Sequence, residues 1–206
     1  FALKDNDIVI IAAGKDNRVT PLLGALRLRY AKSLGLIKPN TYDLLWVVDF
    51  PMFERDVETN SIVATHHPFT RPRDEDLKYM DEDPTKMLSY AYDIVINGYE
   101  AGGGTLRIYD QNVQKKIFNI LGLSDQEVQD KFGYFVNALQ YGTPPHAGMA
   151  FGLDRLTMIL AGTENIRDVI AFPKNLAGVC PMSGAPNQVT QKQVEDLGIK
   201  FMKEEN

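Results

Sequence analysis

Arg155 stands in the first turn of a helix that opens Gly152-Leu153-Asp154-Arg155, directly behind the run YGTPPHAGMAF (141–151). Two prolines, a histidine and three glycines crowd this entry, more φ-permissive residues than a purely structural segment needs beside an arginine. On a helical wheel Leu153, Leu156, Ile159 and Leu160 form the expected buried arc, and Arg155 falls at its edge, between Met158 and Ile159. From there a planar guanidinium can cover a flat ring or reach an anion near the helix N-terminus. Snorkelling from a core helix is the other reading of the same placement.

Asp93 and Glu100 are a second chemical pair. Strand alternation sends Tyr92, Ile94 and Ile96 one way and Asp93, Val95 and Asn97 the other. A separation of seven brings Glu100 to the face of Asp93 only if the chain bends between them, and Gly98 is the residue that would permit it. Converging carboxylates repel and call for a cation, typically Mg²⁺ shared with phosphate oxygens; otherwise they are two exposed strand charges. Arg107, between Leu106 and Ile108, needs a carboxylate partner, either structural or belonging to a ligand. His66-His67 ends an apolar strand. Adjacent positions point to opposite faces and only His146 remains to add, so a zinc site is not expected; a histidine at a strand end can instead hydrogen-bond a substrate carboxylate. Gly102-Gly103-Gly104-Thr105 lacks the G-x-x-x-x-G-K-[ST] pattern and is followed by a strand, so it serves close approach of a ligand to backbone rather than a phosphate loop.

The elements that position these residues follow from periodicity and punctuation. Ile8 to Ala12 reads as a strand. Thr20-Pro21 reads as an N-cap and first helical residue, with Gly35 ending that helix. LLWVVDF (44–50) and SIVAT (61–65) are strands, and Thr70 to Pro84 is a polar surface loop with one short helix. Residues 91–100 and 105–110 read as antiparallel strands joined by a glycine-rich bend. Helices are expected at 112–121 and 125–141, the latter with a Ser124/Glu127 capping box, then at Gly152; DVIAFPK is a strand and a short polar helix closes the chain. Strands in runs with helices bunched late favour an α+β fold around an antiparallel sheet.

Composition sets the outer bounds. The 206 residues are 44% hydrophobic and 24% charged, as in an ordinary globular protein. No apolar run approaches the ~20 residues of a membrane span. The one cysteine, Cys180, excludes an intramolecular disulfide and fits a reducing cytoplasm. With net charge −5, a polynucleotide would have to be met by a local basic patch or another part of the molecule. The chain opens without methionine and enters an apolar segment at once, as though cut from something longer.

The strings HHPFT, YDIVINGYEAGGGTLRI, YGTPPHAG and FGLDRLTMILAGTENIRDVIAFPK resemble the bacterial-type aspartyl-tRNA synthetases, which are class II aminoacyl-tRNA synthetases, and the similarity runs along nearly the whole chain. The resemblance implies part of the class II antiparallel sheet flanked by helices. It implies that Gly152, Leu153, Asp154 and Arg155 bind ATP, with Arg155 catalytic and lying over the adenine and γ-phosphate. Glu100 would bind ATP through Mg²⁺ with help from Asp93, while Arg107 and His66 would hold aspartate. Partners would be L-aspartate, ATP and tRNA-Asp, in a cytoplasmic homodimer with no membrane association. GALRLRYAKSLGLIKP resembles the last helix of an insertion domain, giving 1–38 as the end of that insertion, 39–185 as the C-terminal part of the catalytic domain and 186–206 as an extension. The anticodon-binding barrel and the first two class II motifs would be absent. Arg73-Asp74-Glu75-Asp76 copies the second motif's R-D-E-D, but its flanking Pro72 and Lys78 indicate a solvated surface loop. The competing readings are an inactive piece acting as a binding module and an amide-forming paralogue.

Overall fold

The computed structural model describes residues 2–201, with the side chains of Asp16 and Asn17 left aside. The chain forms two compact units, Phe1–Tyr42 and Asp43–Asn206. The first is built on α1 (Asp16–Ser33), which starts at Lys15 without a side-chain cap, so Thr20 is not the N-cap and Pro21 lies inside the helix. The helix ends as expected at Gly35, at φ 63°: Gly35 N–H donates to Lys32 O at 3.2 Å and Leu36 N–H to Ala31 O at 2.9 Å, the paired bonds of a Schellman ending. The expected strand Ile8–Ala12 does not form. An apolar run becomes a strand only with a ladder partner, and among the described residues it has none; Ile8 and Ile11 stay more than four-fifths exposed.

In the second unit, β1 (Leu44–Val48), β4 (Ala91–Ile96), β5 (Tyr99–Leu106) and β6 (Ala147–Phe151) form an antiparallel sheet in the order β1-β4-β5-β6. A separate pair, β2 (Phe53–Arg55) and β3 (Ile62–Ala64), packs into the buried cluster of Met52, Phe53, Met80, Met87, Ile108 and Ile117. The bend between β4 and β5 is Asn97-Gly98, at φ 51° and 84°, the positive pair a two-residue primed turn requires. The triple glycine therefore lies inside β5 rather than at the bend. Close strand approach demands it: a Cβ at Gly102 would stand 2.5 Å from Ala150 O, and one at Gly104 would strike Gly148 O.

α2 (Gln111–Ile120) is capped by Asp110, which accepts from the N–H groups of Asn112 and Val113, and α3 (Asp125–Leu139) carries the expected Ser124/Glu127 capping box. The segment after β6 becomes α4 (Leu153–Ala161). DVIAFPK is not a strand: a 3₁₀ turn at Ile166–Asp168 leads into irregular chain with no ladder partner among the described residues. A one-and-a-half-turn helix, α5 (Gln191–Asp196), is capped by Thr190 and Gln193.

The polar segment after Thr70 is more firmly anchored than a solvated loop. Residues Asp74–Tyr79 form a 3₁₀ helix. Arg71 grips Asp74 through both carboxylate oxygens at 2.7 and 2.8 Å while its guanidinium lies over Tyr109, and Arg73 pairs with Asp49 and Glu75. Asp76 accepts the Leu88 N–H at 2.9 Å. The arginines are spent on neighbouring carboxylates, which is why R-D-E-D here is a structural element.

Candidate active site

One cleft of about 800 Å³ gathers the candidate residues, Leu153 excepted, on a single face of the sheet. Its carboxylates meet through the hairpin. Asp93 pairs with Gly103 and Ile94 with Gly102, but the next pair is Val95 with Glu100, so Ala101 is an extra residue in β5. Cross-strand partners share a face, and Val95 shares the face of Asp93, so Glu100 arrives there too. The bend at Gly98 is thus the hairpin turn itself, and the bulge at Ala101 sets the facing. The Asp93 carboxyl lies where a Cβ at Gly103 would have to go. Burial raises the pKa of Asp93 above the usual carboxylate value, the Glu100 charge raises it further, and His66 partly opposes both.

Gly103, Thr105 and Arg107 follow at alternate positions along the same face. Arg107 leaves the end of β5, where its N–H donates to His146 O at 2.9 Å and its backbone bridges Thr70. Among the described residues no carboxylate pairs with Arg107. Its Nη1 lies 2.9 Å from Nε2 and 3.3 Å from Nδ1 of His67. Burial lowers the pKa of His67, and the charge of Arg107 lowers it further, so the ring is neutral beside the guanidinium. The Phe69 N–H donates to His67 Nδ1 at 3.2 Å. His66 stands edge-on to Phe50, with ring centroids 4.8 Å apart, and also lines the cleft.

Arg155 enters from α4. Gly152 N–H donates to Ala101 O at 3.0 Å, tying the helix start to the bulge, and Arg155 Nη1 donates to the backbone carbonyl of Glu100. Gly152 and Asp154 line the cleft with it. The inward stripe of α4 is Arg155, Leu156, Met158 and Ile159, centred on buried Met158. Leu153 and Leu160, expected in the buried arc, are 77% and 74% exposed, and the Leu153 side chain stays outside the cleft. The start of α4 is held by the Gly152–Ala101 bond and by Arg155 on the Glu100 carbonyl, contacts that sequence periodicity does not contain.

Sequence reasoning missed two features of the cleft. Alternation argued against a zinc site on His66-His67 and no role was read for His67; β3 ends at Ala64, so both histidines lie beyond the strand, where alternation no longer applies. Thr105 is 6% exposed, and its Oγ1 has no hydrogen-bond partner among the described residues. Its position two residues from both Gly103 and Arg107 was the available signal.

Fold and site together define an α+β protein that collects carboxylates and arginines on one face of an antiparallel sheet. The chain belongs to the class II tRNA synthetases of the D, K and N group, whose family model matches residues 14–176. It is 51% identical over 199 residues to an aspartate–tRNA ligase of Haemophilus ducreyi, covering 97% of this chain and 34% of that one. It is 50% identical over 195 residues to an aspartate–tRNA(Asp/Asn) ligase of Caldanaerobacter subterraneus, covering 95% and 33%. The chain therefore spans about a third of the length of the curated relatives it matches. Among solved structures it resembles the aspartyl-tRNA synthetase of Entamoeba histolytica, with 27% identity and a TM-score of 0.51 over 74% of this chain and 26% of that one.

Proposed function

We propose that this chain supplies the C-terminal catalytic portion of an aspartate–tRNA ligase. The observation that carries the reading is the convergence of Asp93, Glu100, Arg107 and Arg155 on one cleft. In the reaction, an oxygen of the aspartate α-carboxylate attacks the α-phosphorus of ATP in line and pyrophosphate leaves with the bonding electrons. A terminal hydroxyl of the tRNA then attacks the acyl carbon of the resulting aspartyl-adenylate and gives up its proton, and AMP leaves with the electrons of the acyl–phosphate bond. Neither step needs an enzyme nucleophile, so rate comes from positioning and charge neutralisation.

Arg107, without a protein carboxylate partner, is free to hold the side-chain carboxylate of aspartate, with His66 beside it. Arg155 covers the adenine and γ-phosphate of ATP, with Gly152, Leu153 and Asp154 presenting the helix start. Asp93 and Glu100 fit Mg²⁺: like charges converge in a partly buried place, and the described residues offer no cluster of three or more acidic, histidine or cysteine ligands, so phosphate oxygens would complete the shell. Bound there, the ion supplies charge neutralisation on the triphosphate. The remaining parts of the proposal are a division at 1–38, 39–185 and 186–206, a tRNA-Asp substrate, a homodimer and a cytoplasmic location. The compact units divide after Tyr42, close to the first boundary.

Aspartate-dependent ATP–pyrophosphate exchange by the full-length protein carrying this chain tests the reading. Activation of aspartate, and not of asparagine or lysine, is the expected result; no exchange with aspartate would refute it.

A further inference from the structure

Gln114 is an amide in an otherwise apolar place. It lies on the inward face of α2 with Ile117 and Phe118, and is 1% exposed. Its Nε2 donates to the carbonyl of Pro68 at 2.8 Å, while its Oε1 is buried with no hydrogen-bond partner among the described residues. A buried amide left half-satisfied is unfavourable compared with a methionine of similar shape, so packing alone does not explain a glutamine here.

The bond it makes is placed where the site is built. Pro68 follows His67, the residue against Arg107. The backbone on either side of Pro68 is already held: Thr70 N–H donates to His67 O at 3.2 Å, and Ile108 N–H donates to Phe69 O at 3.0 Å. The Phe69 ring is clamped by Phe135 and Phe132, with centroids 4.5 and 5.3 Å away. Among the described residues the Pro68 carbonyl has Gln114 as its one partner. The amide thus joins the buried face of α2 to the turn that aims the His67 ring at Arg107.

We infer that Gln114 is a positioning residue for the Arg107 end of the cleft, acting through Pro68 and His67 on the group that receives the substrate carboxylate. The substrate's identity rests on the functional reading above; the mechanical link does not.

Gln114→Met in the full-length protein keeps the volume and removes both the donor and the orphaned acceptor. The expected result is a melting temperature unchanged or raised, an aspartate KM raised about tenfold or more, and an ATP KM within about twofold of wild type. Gln114→Glu adds a readout that packing does not move. A neutral carboxyl can donate to the Pro68 carbonyl and an ionised one cannot, so its aspartate KM should approach wild type at low pH and climb as pH rises. Independently of turnover, NMR titration of the His67 ring should show its pKa moving up in Gln114→Met as the ring loses its buried place and moves from Arg107. An unchanged aspartate KM in a folded Gln114→Met protein, or aspartate and ATP KM values rising in parallel with lost stability, overturns the positioning role. Should the wild-type protein show no aspartate-dependent exchange, the functional reading falls, and the His67 titration still decides this inference: an unmoved pKa refutes it. If Gln114→Met does not fold, a flat pH profile in Gln114→Glu does so.

Discussion

The carboxyl of Asp93 occupies the space into which a Cβ at Gly103, its cross-strand partner, would project. A side chain at position 103 would therefore have to displace the Asp93 carboxyl across the ladder, besides any role the glycine has towards a ligand. Gly103→Ala forces the free end of Asp93 aside and should destabilise the fold by about 1 kcal/mol, the low end of the range for overpacking. In Asp93→Ala/Gly103→Ala the collision is gone, so the double variant should lose less than the sum of the single losses in thermal or denaturant melts. Strict additivity would show that the two positions do not share this space.

Asp93 is held with its pKa raised by burial and by Glu100, and this has a sign for stability. The folded state binds the proton more tightly than the unfolded chain, so Asp93 favours folding at low pH. That contribution is lost as the pH climbs from 3.8 through the higher folded value. At neutral pH Asp93→Asn should consequently melt higher than wild type and show a flatter pH dependence over that window. The same logic predicts that Glu100→Gln lowers the pKa of Asp93, while shifting the Mg²⁺ requirement for ATP activation upward in the full-length protein. An unchanged Mg²⁺ titration would reduce the pair to strand charges.

Arg107 has a neutral histidine beside it and no protein carboxylate among the described residues, an arrangement suited to an incoming anion. Arg107→Ala should remove roughly 2–5 kcal/mol of aspartate binding, since the ligand carboxylate would then be buried unpaired. In steady-state exchange the aspartate KM should rise far more than the ATP KM. Equal effects on both would make Arg107 a structural residue.

How much of this was legible in the sequence divides along physical lines. The capping box at Ser124 and the helix-ending glycine at Gly35 are local chemistry and were readable. So was the strand expected at 44–50, which ends at Val48. Asp93, Glu100, Arg107 and Arg155 stood out by residue type and place, and the structure brings all four to one cleft, but type and spacing left a structural reading open for each. What was misread depended on partners distant in sequence. Ile8–Ala12 and DVIAFPK have strand composition but no described neighbour to pair with. The triple glycine looked like a bend because its crowding comes from β6, more than forty residues away. Asn97-Gly98 was the better local turn signal, and its glycine was read only as a bend within one strand. The start of α4 is held by a bond to the Ala101 bulge, and the bulge itself cannot be seen without the ladder.

The last expectation concerns the 206 residues alone. Arg107 and Arg155 are the two arginines lining the cleft, and the reading places one on the aspartate carboxylate and the other on adenine and the γ-phosphate. That leaves no described arginine or lysine of the cleft for the charge that builds on the α-phosphate. Losing one preorganised contact of this kind lowers a rate by about 10²–10³. The outer strands compound the loss: every residue of β1 and β6 is exposed, including Trp46 at 54% and Phe151 at 53%. The sheet that aims the site thus leaves both edge strands uncovered among the described residues, with unpaired ladder groups along their outer sides. The isolated chain should show no aspartate-dependent ATP–pyrophosphate exchange, while weak ATP binding through Arg155 and the Gly152 helix start survives. Exchange at the rate of a full-length synthetase, from material whose mass matches these residues only, would show that the cleft described here is catalytically sufficient.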